Sequence, residues 1–168
     1  EDEYHSEILW NYLHHASLEY GEVLEPAFEA DLFVDEPRYV FYLGEGGKHE
    51  MEGEEAVKED FYINTFYEIP FSSCVYEEQL FVEDWGFASY HTTVSFPTGE
   101  HILDDPDQFG IDWDSEWDFD KDDIDPETTY IAETRSSMFW PYDDDGKLIG
   151  EEVFNRKPDE VREPDEDD

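Results

Sequence analysis

The sequence predicts an α+β fold. Two observations carry this expectation. Apolar residues recur at helical spacing in much of the first 70 residues, and the pattern changes to strand-like alternation after them. Phe, Trp and Tyr make up 17% of the 168 residues, enough ring surface for a packed core in a chain that is otherwise very polar.

The elements follow in order. Residues 3–20 are expected as an amphipathic helix, with Ile8, Leu9, Tyr12, Leu13 and Ala16 as its apolar stripe. Gly21 is its stop. Residues 23–33 suggest a second short helix with Pro26 in its first turn. Arg38 to Leu43 is rich in β-formers, and His49 to Met51 returns after a glycine turn. Residues 54–68 predict a helix. Val57, Phe61 and Thr65, flanked by Tyr62 and Phe66, make its apolar face, and Glu54 and Glu55 favour its first turn. Val75 to Glu83 and Phe87 to Phe96 alternate as strands around Asp84-Trp85-Gly86. Residues 101–127 have no clear period and form an acidic, aromatic insertion or lid. Thr128 to Trp140 and Lys147 to Asn155 are the last two strands, joined by Asp143-Asp144-Asp145-Gly146. The organisation expected is a domain over 3–155 and an acidic disordered tail over 156–168.

Charge narrows the function. The chain has 49 Asp and Glu against 9 Lys and Arg, a formal net charge of -40. So few cations exclude direct binding to a phosphate backbone, and the charge repels an anionic membrane. Disordered acidic chains are poor in rings, so the domain is expected to fold. Acidic residues are spread along the whole chain, which favours adaptation to high salt over one dedicated patch. Mimicry of a nucleic acid and an acidic interaction surface are the competing explanations. No apolar run is long enough to cross a membrane. No signal peptide is visible, and a cytoplasmic protein is expected. Cys74 is the single cysteine and is read as a buried, inert thiol.

Two motifs carry a family resemblance. Phe139-Trp140-Pro141-Tyr142-Asp143-Asp144-Asp145-Gly146-Lys147-Leu148-Ile149-Gly150-Glu151 has an apolar strand, an acidic glycine turn and a strand containing I-G-E. Gly53-Glu54-Glu55-Ala56-Val57 opens a helix that leads into Phe61-Tyr62. Together with the element order, they resemble the SnoaL-like branch of the nuclear transport factor 2-like superfamily. The resemblance implies a cone-shaped fold, a curved antiparallel sheet packed against about three helices. It also implies a pocket for a small apolar molecule, cofactor-free acid–base chemistry (cyclase, isomerase, dehydratase or hydrolase) and a homodimer. A non-catalytic ligand-binding or dimerisation module is the alternative. The longer connection at 101–127 departs from the family pattern.

Candidate site residues follow from side-chain chemistry. His91 lies mid-strand and suits a general base near neutral pH. Glu133 and Arg135 share a strand face two residues apart and could polarise a carbonyl. Tyr42, Tyr62, Phe66, Trp113 and Trp140 are expected to line an aromatic ligand pocket. The run from Asp112 to Asp123 has oxygen ligands in quantity but lacks the glycine of an EF-hand loop. No zinc spacing occurs, so no metal site is expected, and the resemblance implies no cofactor.

Overall fold

The structure, a computed structural model, describes residues 3–19, 28, 30–42, 47–64, 71–106, 109, 121–154 and 158–165. It is α+β. Helix α1 spans Glu3–Glu19 and strands β1 and β2 span Phe33–Tyr42 and Lys48–Glu52. Helix α2 starts at Glu54–Ala56 and widens into a π-helix at Val57–Ile63. Strands β3 (Ser73–Glu83) and β4 (Gly86–Ser95) precede helix α3 (Gly99–Asp104). A 3-10 turn at Lys121–Asp123 leads to β5 (Ile131–Pro141), β6 (Leu148–Phe154) and β7 (Glu160–Arg162).

The strands form a sheet in the order β2-β1-β6-β5-β4-β3, with β7 paired to β5. The pairs β1–β2, β5–β6 and β5–β7 are antiparallel, but β1 and β6 run parallel. The sheet is therefore mixed rather than wholly antiparallel. Helix α2 and the strands between β1 and β6 supply the long connection that a parallel pair requires.

The chain packs as two compact units. One comprises Glu1–Ile69, Gln79–Tyr90 and Ser137–Asn155, and the other Pro70–Glu78, His91–Ser136 and Arg156–Asp168. The core of the first includes Ile8, Tyr39, Val57, Tyr62, Phe87 and Trp140. That of the second includes Ile102, Phe109, Ile124, Tyr130 and Val161.

Helix α1 is rotated from the expected stripe. Ile8, Asn11 and His15 are its buried positions, whereas Leu13 is 59% and Trp10 71% exposed. Two polar side chains occupy core positions because each finds buried partners. Asn11 Nδ2 donates to the carbonyls of Leu32 (2.9 Å) and Gly146 (3.0 Å).

Strand β1 begins earlier than Arg38, since Asp35-Glu36-Pro37 has turn chemistry yet lies within it. The β1–β6 register shifts between Phe33 and Arg38, and this irregularity accommodates Pro37, which has no N–H to give. In the π-helix, Asn64 N donates to Glu59 O at 2.9 Å, a five-residue step. That step brings Val57 and Tyr62 to the buried side together.

Three further expectations are corrected. The segment at 101–127 is not irregular at its start, because Thr98 N donates to His101 Nδ1 at 3.2 Å and caps α3. Glu160–Arg162, within the expected tail, is a strand whose Val161 is buried. Cys74 is exposed, not buried. The second helix expected at 23–33 falls mostly outside the described residues, and Phe33 already belongs to β1.

Candidate functional site

The acidic glycine turn is built before any site is. Asp143 Oδ1 accepts from the backbone N–H groups of Asp145 (3.0 Å) and Lys147 (2.9 Å). Gly146 takes φ +73, a left-handed conformation that costs glycine nothing. Tyr4 of α1 donates to Asp143 O at 2.8 Å, which fastens α1 to the β5–β6 hairpin, and Lys147 Nζ meets Asp31, just before β1, at 2.7 Å.

Beyond the turn, Gly150 sets the geometry of β6. Its φ is +154, and a Cβ there would lie 1.8 Å from Arg38 O. Regular alternation from buried Leu148 would point Glu151 outward. Instead both Gly150 and Glu151 are buried, and alternation restarts so that Glu151 and Val153 face inward.

This irregularity delivers a carboxylate to an imidazole. His15 is 0% and Glu151 2% exposed, with His15 Nε2 3.8 Å from Glu151 Oε1. The same nitrogen lies 2.9 Å from the Tyr62 hydroxyl, which is 3.1 Å from the hydroxyl of Tyr39. Helix α1, the π-helix, β1 and β6 thus each place one polar group at a common point in the first unit. Aromatic rings surround it. His15 meets Phe33 and Trp140 edge-on at 5.0 and 5.7 Å, and Trp140 stacks on Phe87 at 5.6 Å.

Burial lowers the His15 pKa to about 3, because an imidazolium loses its hydration there. The ring is therefore neutral at pH 7. When its proton sits on Nδ1, Nε2 accepts from Tyr62 and Tyr39 donates to Tyr62. The Tyr142 hydroxyl, nearby in the same core, is raised well above the usual phenol range by burial and then by the charge of Glu151.

A second feature lies in the second unit. An open pocket of about 430 Å³ is lined by Tyr76 of β3, Thr92 of β4, Glu133 and Arg135 of β5 and residues 159–161 around β7. Tyr76 OH donates to Glu133 Oε2 at 3.2 Å, and Asp159 Oδ2 accepts from Arg135 N at 3.0 Å.

The expected site residues fall in different places. Glu133 and Arg135 come together in this pocket. His91 is buried and 5% exposed, but it is not among the lining residues, and its neighbour Thr92 is. Successive residues of a strand face opposite ways, so His91 points away from the pocket. Burial lowers its pKa, partly opposed by the charge of Glu78.

Trp140 and Tyr62 belong to the first unit's core, around His15. Tyr42 instead stacks on Phe154 at 4.4 Å and donates to Glu152 at 3.3 Å, away from that core. Phe66 and Trp113 lie outside the described residues. His15, Tyr39 and Glu151 escape a reading of the sequence. Glu151 stands in the I-G-E motif, the one signal that could have singled it out.

No family model matches the chain, and no curated protein matches it in sequence. Solved structures do match. A candidate polyketide cyclase from Xanthomonas campestris pv. campestris superposes with a TM-score of 0.54 at 8% identity, covering 91% of this chain and 93% of that one. A phenazine biosynthesis-related protein from Pseudomonas aeruginosa also gives 0.54, at 12% identity, over 90% and 80% of the two chains. The architecture is the nuclear transport factor 2-like α+β fold. At such identities the likeness concerns the fold alone. Among the described residues, no helix is long and apolar enough to cross a membrane.

Proposed function

We propose that this chain binds a small apolar carbonyl compound and moves a proton on it without a cofactor. The observation that carries the reading is the buried chain Tyr39–Tyr62–His15 beside Glu151. A neutral imidazole at Nε2 is a base, and Glu151 would stabilise the imidazolium formed when a proton arrives. For this step the Tyr62 hydroxyl would turn from Nε2 to the substrate oxygen on which charge develops, freeing Nε2 to take the proton while Tyr39 still donates to Tyr62, in surroundings where hydrogen bonds count for more than in water. Aromatic walls suit an apolar substrate. Glu133 and Arg135, in the second unit's pocket, take no part in this step.

A non-catalytic binding protein is the second reading. It is favoured by the complete enclosure of His15, which leaves a substrate no path to Nε2 among the described residues.

One experiment separates the two. Exchange of the α-protons of cyclohexanone into deuterated water is followed by NMR, together with the indole N–H signal of Trp140. Acid–base chemistry predicts faster exchange with the wild type and its loss in His15→Gln and Tyr62→Phe. A shifted Trp140 signal without exchange moves the protein to the binding reading, and no shift with no exchange overturns both.

Three further parts of the proposal rest on other features. Adaptation to high salt rests on the net charge of -40. A cytoplasmic location suits a chain whose one cysteine is exposed. A homodimer is supported by an aromatic row of exposed Trp85, Phe139 and Phe154 and half-buried Tyr42, which follow at 6.0, 5.7 and 4.4 Å. Sedimentation in molar KCl reads the last directly, and a monomer removes it.

A further inference from the structure

The pocket of the second unit combines two features, an exposed arginine and two facing carboxylates. The first is Arg135. With 49 acidic residues in the chain, cations find partners readily. Arg38 pairs with Glu50 and Glu152, Lys147 with Asp31, and Arg162 with Glu133. The guanidinium of Arg135 makes no ion pair among the described residues, although it lines a cavity with three acids. Its planar fork is the side chain best shaped to hold a carboxylate through two parallel hydrogen bonds.

The second feature is the pair Glu133 and Glu160, which stand directly opposite each other where β5 meets β7. Like charges in that position repel. Arg162 Nη2 is 3.7 Å from Glu133 Oε1 and offsets part of this, while Tyr76 holds Oε2 in place. Asp159 is committed to the backbone of Arg135. A cation between Glu133 and Glu160 would relieve the repulsion. Among the described residues, no three acidic, histidine or cysteine side chains are placed to hold a metal ion, so the pocket suits an organic ammonium whose N–H bonds reach separate carboxylates.

We infer that this pocket binds a small zwitterion, an α-amino carboxylate whose carboxyl group lies on Arg135 and whose ammonium lies between Glu133 and Glu160. A volume of about 430 Å³ leaves room for a modest side chain over Val161. Placing opposite charges side by side also selects against simple anions and simple amines, each of which leaves one half of the pocket unpaired.

The test uses the full chain in molar KCl with L-alanine as the probe. Propionate and ethylamine, which lack the ammonium and the carboxylate, are the controls. Backbone amide shifts of residues 133, 135 and 160 are followed by NMR. Saturable shifts with alanine are expected, with both controls at least about tenfold weaker. Arg135→Gln is expected to weaken alanine by about tenfold while leaving the amide spectrum folded, and Glu160→Gln to weaken it similarly. His15→Gln leaves alanine binding unchanged, which separates this site from the proton-moving one. Absence of shifts, propionate or ethylamine binding as well as alanine, or full affinity in Arg135→Gln would overturn the inference.

Discussion

His15 shows how a single residue changes meaning with its surroundings. In the sequence it is one of two adjacent histidines on a helix, next to a plausible apolar stripe. In the structure it is the most enclosed polar group of α1. Its pKa is lowered to about 3 by burial, so the unfolded chain binds a proton that the folded chain refuses between roughly pH 6.5 and that value. The contribution to stability is complete above the unfolded pKa and is lost as pH falls towards the folded one. We expect the stability difference between wild type and His15→Gln to shrink as the pH is lowered from 7 to 5, read by urea unfolding at constant KCl. A pH-independent difference would mean that the ring is not held neutral. Tyr62→Phe keeps the ring and removes the hydroxyl between His15 and Tyr39. It is expected to lower stability by about 1–3 kcal/mol in the same assay, because two buried groups lose a partner.

At the scale of elements, β6 and β7 bracket what could be read in advance. Strand β6 was legible as a strand, and its glycine as part of a motif. Its inward-facing Glu151 was not, because an irregularity at Gly150 breaks the alternation on which such readings depend. Gly150→Ala would bring a methyl group against Arg38 O in the parallel β1–β6 pair. It is expected to lower stability by about 3 kcal/mol or more, or to abolish soluble folding, whereas Ile149→Ala on the exposed neighbour stays within about 1 kcal/mol. Denaturation midpoints of the two variants check this. Strand β7 was not legible at all, since Val161 is one apolar residue among charges. Only pairing with Ile131–Glu133 gives it a partner and buries Val161. Replacing Val161 by Asp should expose the amides of residues 131–133 to hydrogen exchange while β6 stays protected.

For the whole molecule, self-repulsion at a net charge of -40 is the dominant electrostatic fact. The Debye length falls from about 10 Å at 0.1 M salt to about 3 Å at 1 M, so repulsion among surface carboxylates fades over that range. The unfolding midpoint is therefore expected to climb steeply between 0.1 M and molar KCl, followed by circular dichroism. A flat profile would show that the acids are already neutralised by local partners. High salt weakens an exposed pair such as Lys58–Glu54 in the same experiment, but surface pairs contribute little, so the net trend is set by the repulsion.

Local patterns in the amino-acid sequence suffice for the fold class, the place of most strands, the acidic glycine turn and the placement of Glu133 and Arg135 on one strand face. These depend on local periodicity and on turn chemistry that acts within a few residues. The charge is likewise a property of composition alone. The tertiary structure alone decided which helical face is buried, because Asn11 and His15 can enter a core only once Leu32, Gly146 and Tyr62 are there to bond them. It likewise decided that Glu151 faces inward and that His91 and Glu133 point apart. Those outcomes follow from register shifts and long-range partners, and no residue carries either in its immediate neighbours.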